Sequence, residues 1–168
     1  MVPGLAWVNV GGGLGARYRA ADHPLSLAHW AGSIARHLAP LGVPVACEPG
    51  TLVVGAAGVL LVTVNTVEAR RGLTWVGVDA GHPLNPCPAL YGIPLEVVSA
   101  DRPLASPTGS FAVVGHINEA GDVWEAEARL PAPAEGDILA LLPSGAYAAS
   151  MASQHCLRGA YSEVLIDP

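Results

Sequence analysis

The apolar pattern of this chain changes character once, near residues 56–60, and that change limits what the chain can fold into. Before it, Leu5 to Val10 is a short apolar run that reads as a buried strand ending at glycines. Leu27, Trp30, Ile34, Leu38 and Leu41 then recur at spacings of three and four, as on one helix face, with Ser26 placed to cap the start and Gly42 to end it. "VPVACEPG", Val43 to Gly50, reads as a second buried strand closed by Pro49-Gly50. Strand, helix and strand in that order predict a parallel βαβ unit. After Gly58 the runs become short and alternating: "VLLVTVNTV", "LTWVGVDA", "LEVVSA", "SFAVVGHI" and "DILALLPS". They predict a mainly antiparallel β half, with Tyr147 to Ser153 as its helical exception. A βαβ unit cannot cover both faces of its own sheet. The first half is therefore expected to be the tail of a larger α/β domain, and an isolated fragment is expected to expose strand edges and apolar helix faces.

Composition narrows the function classes. Of 168 residues, 51% are hydrophobic and 13% charged, which fits a packed globular protein and not a disordered one. The net charge of -6 argues against nucleic acid or an anionic membrane as partner. The longest apolar run, Leu52 to Val64, is too short to cross a bilayer, and no basic stretch precedes an apolar one at the N-terminus. The expected compartment is the cytoplasm. Cys47, Cys87 and Cys156 are odd in number and show no zinc-type spacing, so neither a disulfide framework nor a metal site is expected.

Five short motifs carry candidate chemistry. "VGGGLG" offers Gly11, Gly12 and Gly13 at a strand end, where backbone N–H groups can converge on an anion such as a phosphate; a plain tight loop is the alternative. The spacing is neither that of a P-loop nor that of a dinucleotide fingerprint. "CEPGT" places Glu48 and Gly50 at the next strand end, where a carboxylate is either a cap or faces a bound ring. "DAG" followed by "PALYG" presents Tyr91. "GHINEAGD" clusters His116, Asn118, Glu119 and Asp122 after a buried strand. "GAYAASMAS" places Tyr147 after a Gly-Ala turn. Taken singly, each has an ordinary reading as a loop, a cap or a solvated polar group.

In this order, the five motifs resemble the C-terminal part of the fold-III pyridoxal-phosphate decarboxylases, the group of diaminopimelate, ornithine and arginine decarboxylases, with the greatest likeness to the diaminopimelate branch. The resemblance implies the last βα units of a TIM-like (β/α)8 barrel over residues 1–57 and a mainly antiparallel β domain over residues 58–168. It also implies pyridoxal 5'-phosphate as cofactor. Gly11, Gly12 and Gly13 would lie at the phosphate end, with the Tyr147 hydroxyl on the same phosphate, Glu48 on the pyridine nitrogen and Gly50 also at the cofactor. That carboxylate keeps the ring protonated and able to accept the electrons left when CO₂ departs. Tyr91 and Glu119 would contact an amino-acid substrate, and the "GHINEAGD" loop would reach the partner's site in a homodimer.

Three departures from the family pattern bear on chemistry. Thr51 and Cys87 stand where diaminopimelate decarboxylases carry arginines suited to a distal carboxylate, so a different amino acid is expected as substrate; Arg158 is one candidate replacement. Asn118 stands where the family has a cysteine that helps return a proton. An amide has no titratable proton near neutrality, so either His116, His155 or Cys156 is expected to supply the proton or the carbanion meets another fate. Last, all eight basic residues are arginine, and the family holds its cofactor covalently through a lysine. Arginine cannot serve as that amine. The simplest expectation is that the lysine lies in a missing front half. The alternatives are a non-catalytic homologue that binds a partner decarboxylase, a related enzyme with another outcome such as a racemase, and an unrelated β-rich binding module.

Overall fold

In the computed structural model, described here for residues 4–167, a small α/β segment leans on a curled sheet. Strand β1 (Val8–Asn9) pairs in parallel with β2 (Val45–Ala46), and helix α1 (Leu27–Leu38) connects them. The predicted caps are in place. The Ser26 side chain accepts from the His29 N–H at 3.1 Å, and Gly42 ends the helix and its following 3-10 turn with φ +66°. Burial differs from the expectation. Both strands are exposed or half-buried, and α1 buries none of its residues, because no other element among the described residues covers them. A short helix, α2 (Gly50–Val54), and a 3-10 turn to Ala57 lead into the sheet.

Six strands form that sheet: β3 (Leu60–Arg70), β4 (Leu73–Val78), β5 (Glu96–Ser99), β6 (Gly109–Val114), β7 (Val123–Leu130) and β8 (Ile138–Leu142). Their spatial order is β5-β8-β3-β4-β6-β7. The two outer strands, β5 and β7, pack on each other, so the sheet curls into a nearly closed barrel. All pairings are antiparallel except β4 with β6. The parallel pair arises because a long connection separates β4 from β6; it carries α3 (Cys87–Tyr91) and strand β5, which joins the sheet at its far edge. Inward-facing residues of every strand make one core: Val62, Val64, Val76, Val78, Val97, Val113, Trp124, Leu130, Leu139 and Leu141 are all buried. The Trp124 indole N–H is satisfied by the Ala80 carbonyl at 3.0 Å. The predicted helical exception is α4 (Ala148–Met151). Strand β7 was not anticipated, because "VWEAEARL" reads as charged and helix-favouring.

Candidate functional site

The glycine run folds into a tight loop held by its neighbours. Gly11 and Gly13 have φ of +71° and +74°, which a side chain rarely tolerates. An ideal Cβ on Gly12 would stand 2.5 Å from the Glu48 carbonyl oxygen, so only glycine allows the two strand ends to approach this closely. The Glu48 N–H donates to the Gly11 carbonyl at 2.8 Å. Asn9 ties the loop to the acid: its amide donates to Glu48 Oε1 at 2.9 Å, and its Oδ1 accepts the Gly11 N–H at 2.8 Å. Sequence reasoning missed Asn9. The available signal was a lone polar side chain between two valines at the end of a strand.

Tyr147 reaches this loop from the far end of the chain. Gly145 lies against Gly58; an ideal Cβ on Gly145 would meet the Val54 carbonyl oxygen at 2.0 Å. Two backbone bonds fix the contact, Gly145 N–H to Gly55 O and Ser144 N–H to Gly58 O, each 2.9 Å. Tyr147 follows with φ +68° and caps α4. The result is an open cleft of about 460 Å³ lined by Gly12, Gly13, Gly15, Tyr18, Glu48, Gly50, Thr51 and Tyr147, among others. Gly11 is not among the lining residues, and its N–H and carbonyl are both engaged.

The other predicted residues gather elsewhere. Tyr91 ends α3 and is exposed, and the lining of the cleft contains none of Tyr91, His116, Asn118 or Glu119. Asn118 is exposed with φ +57°, a conformation asparagine accepts more readily than most residues. His116 is half-buried, and its Nε2 has no hydrogen-bond partner. Asp122 is structural: its buried carboxylate accepts the His82 N–H at 2.7 Å and the Ile117 N–H at 3.0 Å. Gly81 and Gly115 leave room for it, since an ideal Cβ on Gly115 would lie 2.2 Å from its oxygen. This clamp sets His82 beside Glu119, and His155 joins them from the C-terminal segment. His155 Nε2 lies 2.5 Å from Glu119 Oε1, and that contact holds the Glu119 carboxyl below its usual pKa. His82 stacks on His155 with ring centroids 5.7 Å apart. Cys87 is buried at the start of α3, where burial raises its thiol pKa, while Cys156 and Arg158 are exposed.

Residues 30–145 match the family model described as pyridoxal-dependent decarboxylase, C-terminal sheet domain. The chain belongs to the pyridoxal-dependent decarboxylase family. Within the family it is 38% identical to the diaminopimelate decarboxylase of Methanothermobacter thermautotrophicus, over 95% of this chain and 39% of that protein. It is 36% identical to the Pseudomonas fluorescens diaminopimelate decarboxylase, over 97% of this chain and 38% of that one. The crystal structure of Helicobacter pylori diaminopimelate decarboxylase complexed with L-lysine superposes with a TM-score of 0.80 and 32% identity, covering 91% of this chain and 37% of that one. This decarboxylase-family chain thus spans about two fifths of the length of the curated relatives it matches. Among the described residues no helix is long and apolar enough to cross a membrane.

Proposed function

We propose that this chain carries the phosphate- and ring-binding part of a pyridoxal 5'-phosphate site in an amino-acid decarboxylase of the diaminopimelate type. The observation that carries the reading is the convergence of Gly12, Gly13, Glu48, Gly50 and Tyr147, drawn from three distant stretches of sequence, on one cleft. The residues present fit the cofactor. Gly12 and Gly13 line the cleft with backbone that carries no side chain, which leaves it accessible to a phosphate. Tyr147 lies across the same cleft with a hydroxyl that can donate to that phosphate. Glu48, oriented by Asn9, supplies the carboxylate that would hold a pyridine nitrogen protonated. The bound cofactor would act as the electron sink when an α-carboxylate leaves as CO₂.

In this reading residues 1–57 belong to the barrel and residues 58–168 to the sheet domain. Tyr91, His116, Asn118 and Glu119, which lie away from the cleft, serve the partner's site in a cytoplasmic homodimer. The substrate is a small amino acid; the H. pylori relative was crystallised with L-lysine. Thr51 in the cleft and the buried Cys87 offer no fork for a distal carboxylate, so an amino acid other than diaminopimelate is the expected substrate. The sequence contains no lysine, so the covalent tether comes from no residue of this chain. The same fact favours a second reading, a cofactor-binding homologue that acts on a partner decarboxylase; CO₂ release from labelled amino acids by the assembled protein separates the two.

Pyridoxine 5'-phosphate, an alcohol that needs no amine, tests the cleft directly. Calorimetry is expected to show one site competed by inorganic phosphate. Tyr147→Phe is expected to weaken it about 10-fold or more, because a hydroxyl donating to a phosphate anion makes a charge-assisted bond worth about 1.5–3 kcal/mol. Glu48→Gln, which removes a carboxylate facing a protonated ring nitrogen, is expected to cost a similar amount. Equal affinity in wild type and both variants overturns the reading.

A further inference from the structure

We propose that His82, Glu119 and His155 form a binding site for a divalent transition-metal ion of the zinc class. Two imidazoles and one carboxylate are a donor set suited to zinc. One ligand atom from each residue can be chosen so that all lie within 4.8 Å of one another. Bonds of about 2.0–2.2 Å place neighbouring ligand atoms roughly 3.3 Å apart in a tetrahedral site. The two imidazoles approach the two oxygens of the one carboxylate, His155 Nε2 at 2.5 Å from Oε1 and His82 Nε2 at 3.9 Å from Oε2, on either side of that spacing.

The three ligands come from loops far apart in sequence, and each loop is anchored by backbone bonds. His82 is held through its own N–H to Asp122 Oδ1 at 2.7 Å. The Asp122 N–H donates to the Glu119 carbonyl at 3.0 Å. The segment leading to His155 is pinned by the Ser153 N–H to the Pro83 carbonyl at 2.9 Å. The ring of His82 supplies a second, independent observation. Its Nδ1 is buried without a hydrogen-bond partner, 3.8 Å from Asp122 Oδ1. A cation on Nε2 draws electron density from the ring and strengthens an Nδ1–H facing that carboxylate, the usual orientation for a metal-bound histidine. His155 and Glu119 are about half exposed, which leaves a remaining coordination position open to water or to a ligand with an oxygen or nitrogen donor.

The site goes beyond the cofactor reading and shares with it only Glu119 of the residues assigned there. Its test uses the cofactor-free full chain, so its failure and that of the cleft reading are distinguishable. The probe is Co(II), whose visible absorption reports four- or five-coordinate binding, followed by displacement with Zn(II). The background is Cys47→Ser with Cys156→Ser, which removes the two exposed thiols as competing ligands. The expected result is one equivalent of Co(II) displaced by one of Zn(II). His155→Ala, on an exposed turn, and the isosteric Glu119→Gln are each expected to lower affinity by more than the about 10–100-fold typical of a change behind the ligands. Absence of the visible bands in the thiol-free chain, or binding unchanged in both variants, overturns the proposal and leaves the His155–Glu119 contact as a hydrogen bond alone.

Discussion

Residues 4–57 and residues 60–142 are built from similarly apolar sequence, yet they use it differently. In the second region every strand turns a row of side chains into the barrel, and Val76, Val78, Val113 and Leu141 are fully buried. In the first, Leu14 is the only buried large apolar residue among those described, while Trp7, Leu25, Leu27 and Val53 are more than half exposed. Amphipathic periodicity specifies a helix and its apolar face. It does not supply the surface that the face packs against. The sheet domain is complete in that sense. The α/β segment is locally well formed, with its caps, strand pair and glycine loop in place, but carries an unpartnered apolar face.

The largest expected effect tests this contrast. Leu141→Ala, at the centre of β8, opens a cavity in the core and is expected to cost about 2–5 kcal/mol. Ile34→Ala, on the half-buried face of α1, is expected to change stability by less than about 1 kcal/mol. Urea unfolding of the two variants measures the difference. Equal losses would mean that α1 is packed in solution by a surface absent from the described contacts.

Much of this arrangement was legible in the residues. Ser26 and Gly42 announced the ends of α1, because a side-chain acceptor and a left-handed glycine each answer a local backbone need. The five alternating runs became β3, β4, β5, β6 and β8. The parallel β4–β6 pair was not legible, since pairing partners depend on where a long connection returns and no local residue encodes that. From residue chemistry alone the cleft was legible only as separate motifs, which the family resemblance joined into one site, and the Gly58–Gly145 contact that brings Tyr147 to it leaves no mark beyond two ordinary glycines. Asp122 was read as one more polar residue of the functional loop, with ordinary solvation as the alternative. Burial and two backbone donors make it a clamp.

An intermediate effect is expected at the junction of the two regions. Gly145→Ala forces a methyl group into the Val54 carbonyl oxygen and must separate residues 144–147 from residues 55–58. Overpacking of this kind costs about 1–3 kcal/mol. The sheet core does not depend on the contact, so the unfolding midpoint is expected to move less than for Leu141→Ala, while pyridoxine 5'-phosphate affinity falls as Tyr147 leaves the cleft. Retained affinity would show that the glycine pair is not what positions Tyr147.

The smallest expected effect concerns the loop that ties the first region back to the sheet. The Asp22 carboxylate accepts the Tyr18 and Arg19 N–H groups at 2.9 and 2.8 Å, and these two bonds, Arg19 first, hold its pKa below the ordinary carboxylate value. Arg19 in turn reaches Glu125 on β7 at 2.6 Å. A carboxyl group with a lowered folded pKa favours the folded loop above its unfolded pKa, and that contribution is lost as pH falls through the folded value. Hydrogen-exchange protection of the Tyr18 and Arg19 amides is therefore expected to be constant near neutrality and to fall at acid pH. The pH dependence is expected to disappear in Asp22→Asn. Arg19→Ala removes a half-exposed ion pair worth about 0–1 kcal/mol and is expected to lower protection only slightly. If Asp22→Asn kept the acid-dependent loss, the Asp22 carboxylate would not be what holds the loop, and the α/β segment would depend on the barrel for more of its order than its own capping bonds provide.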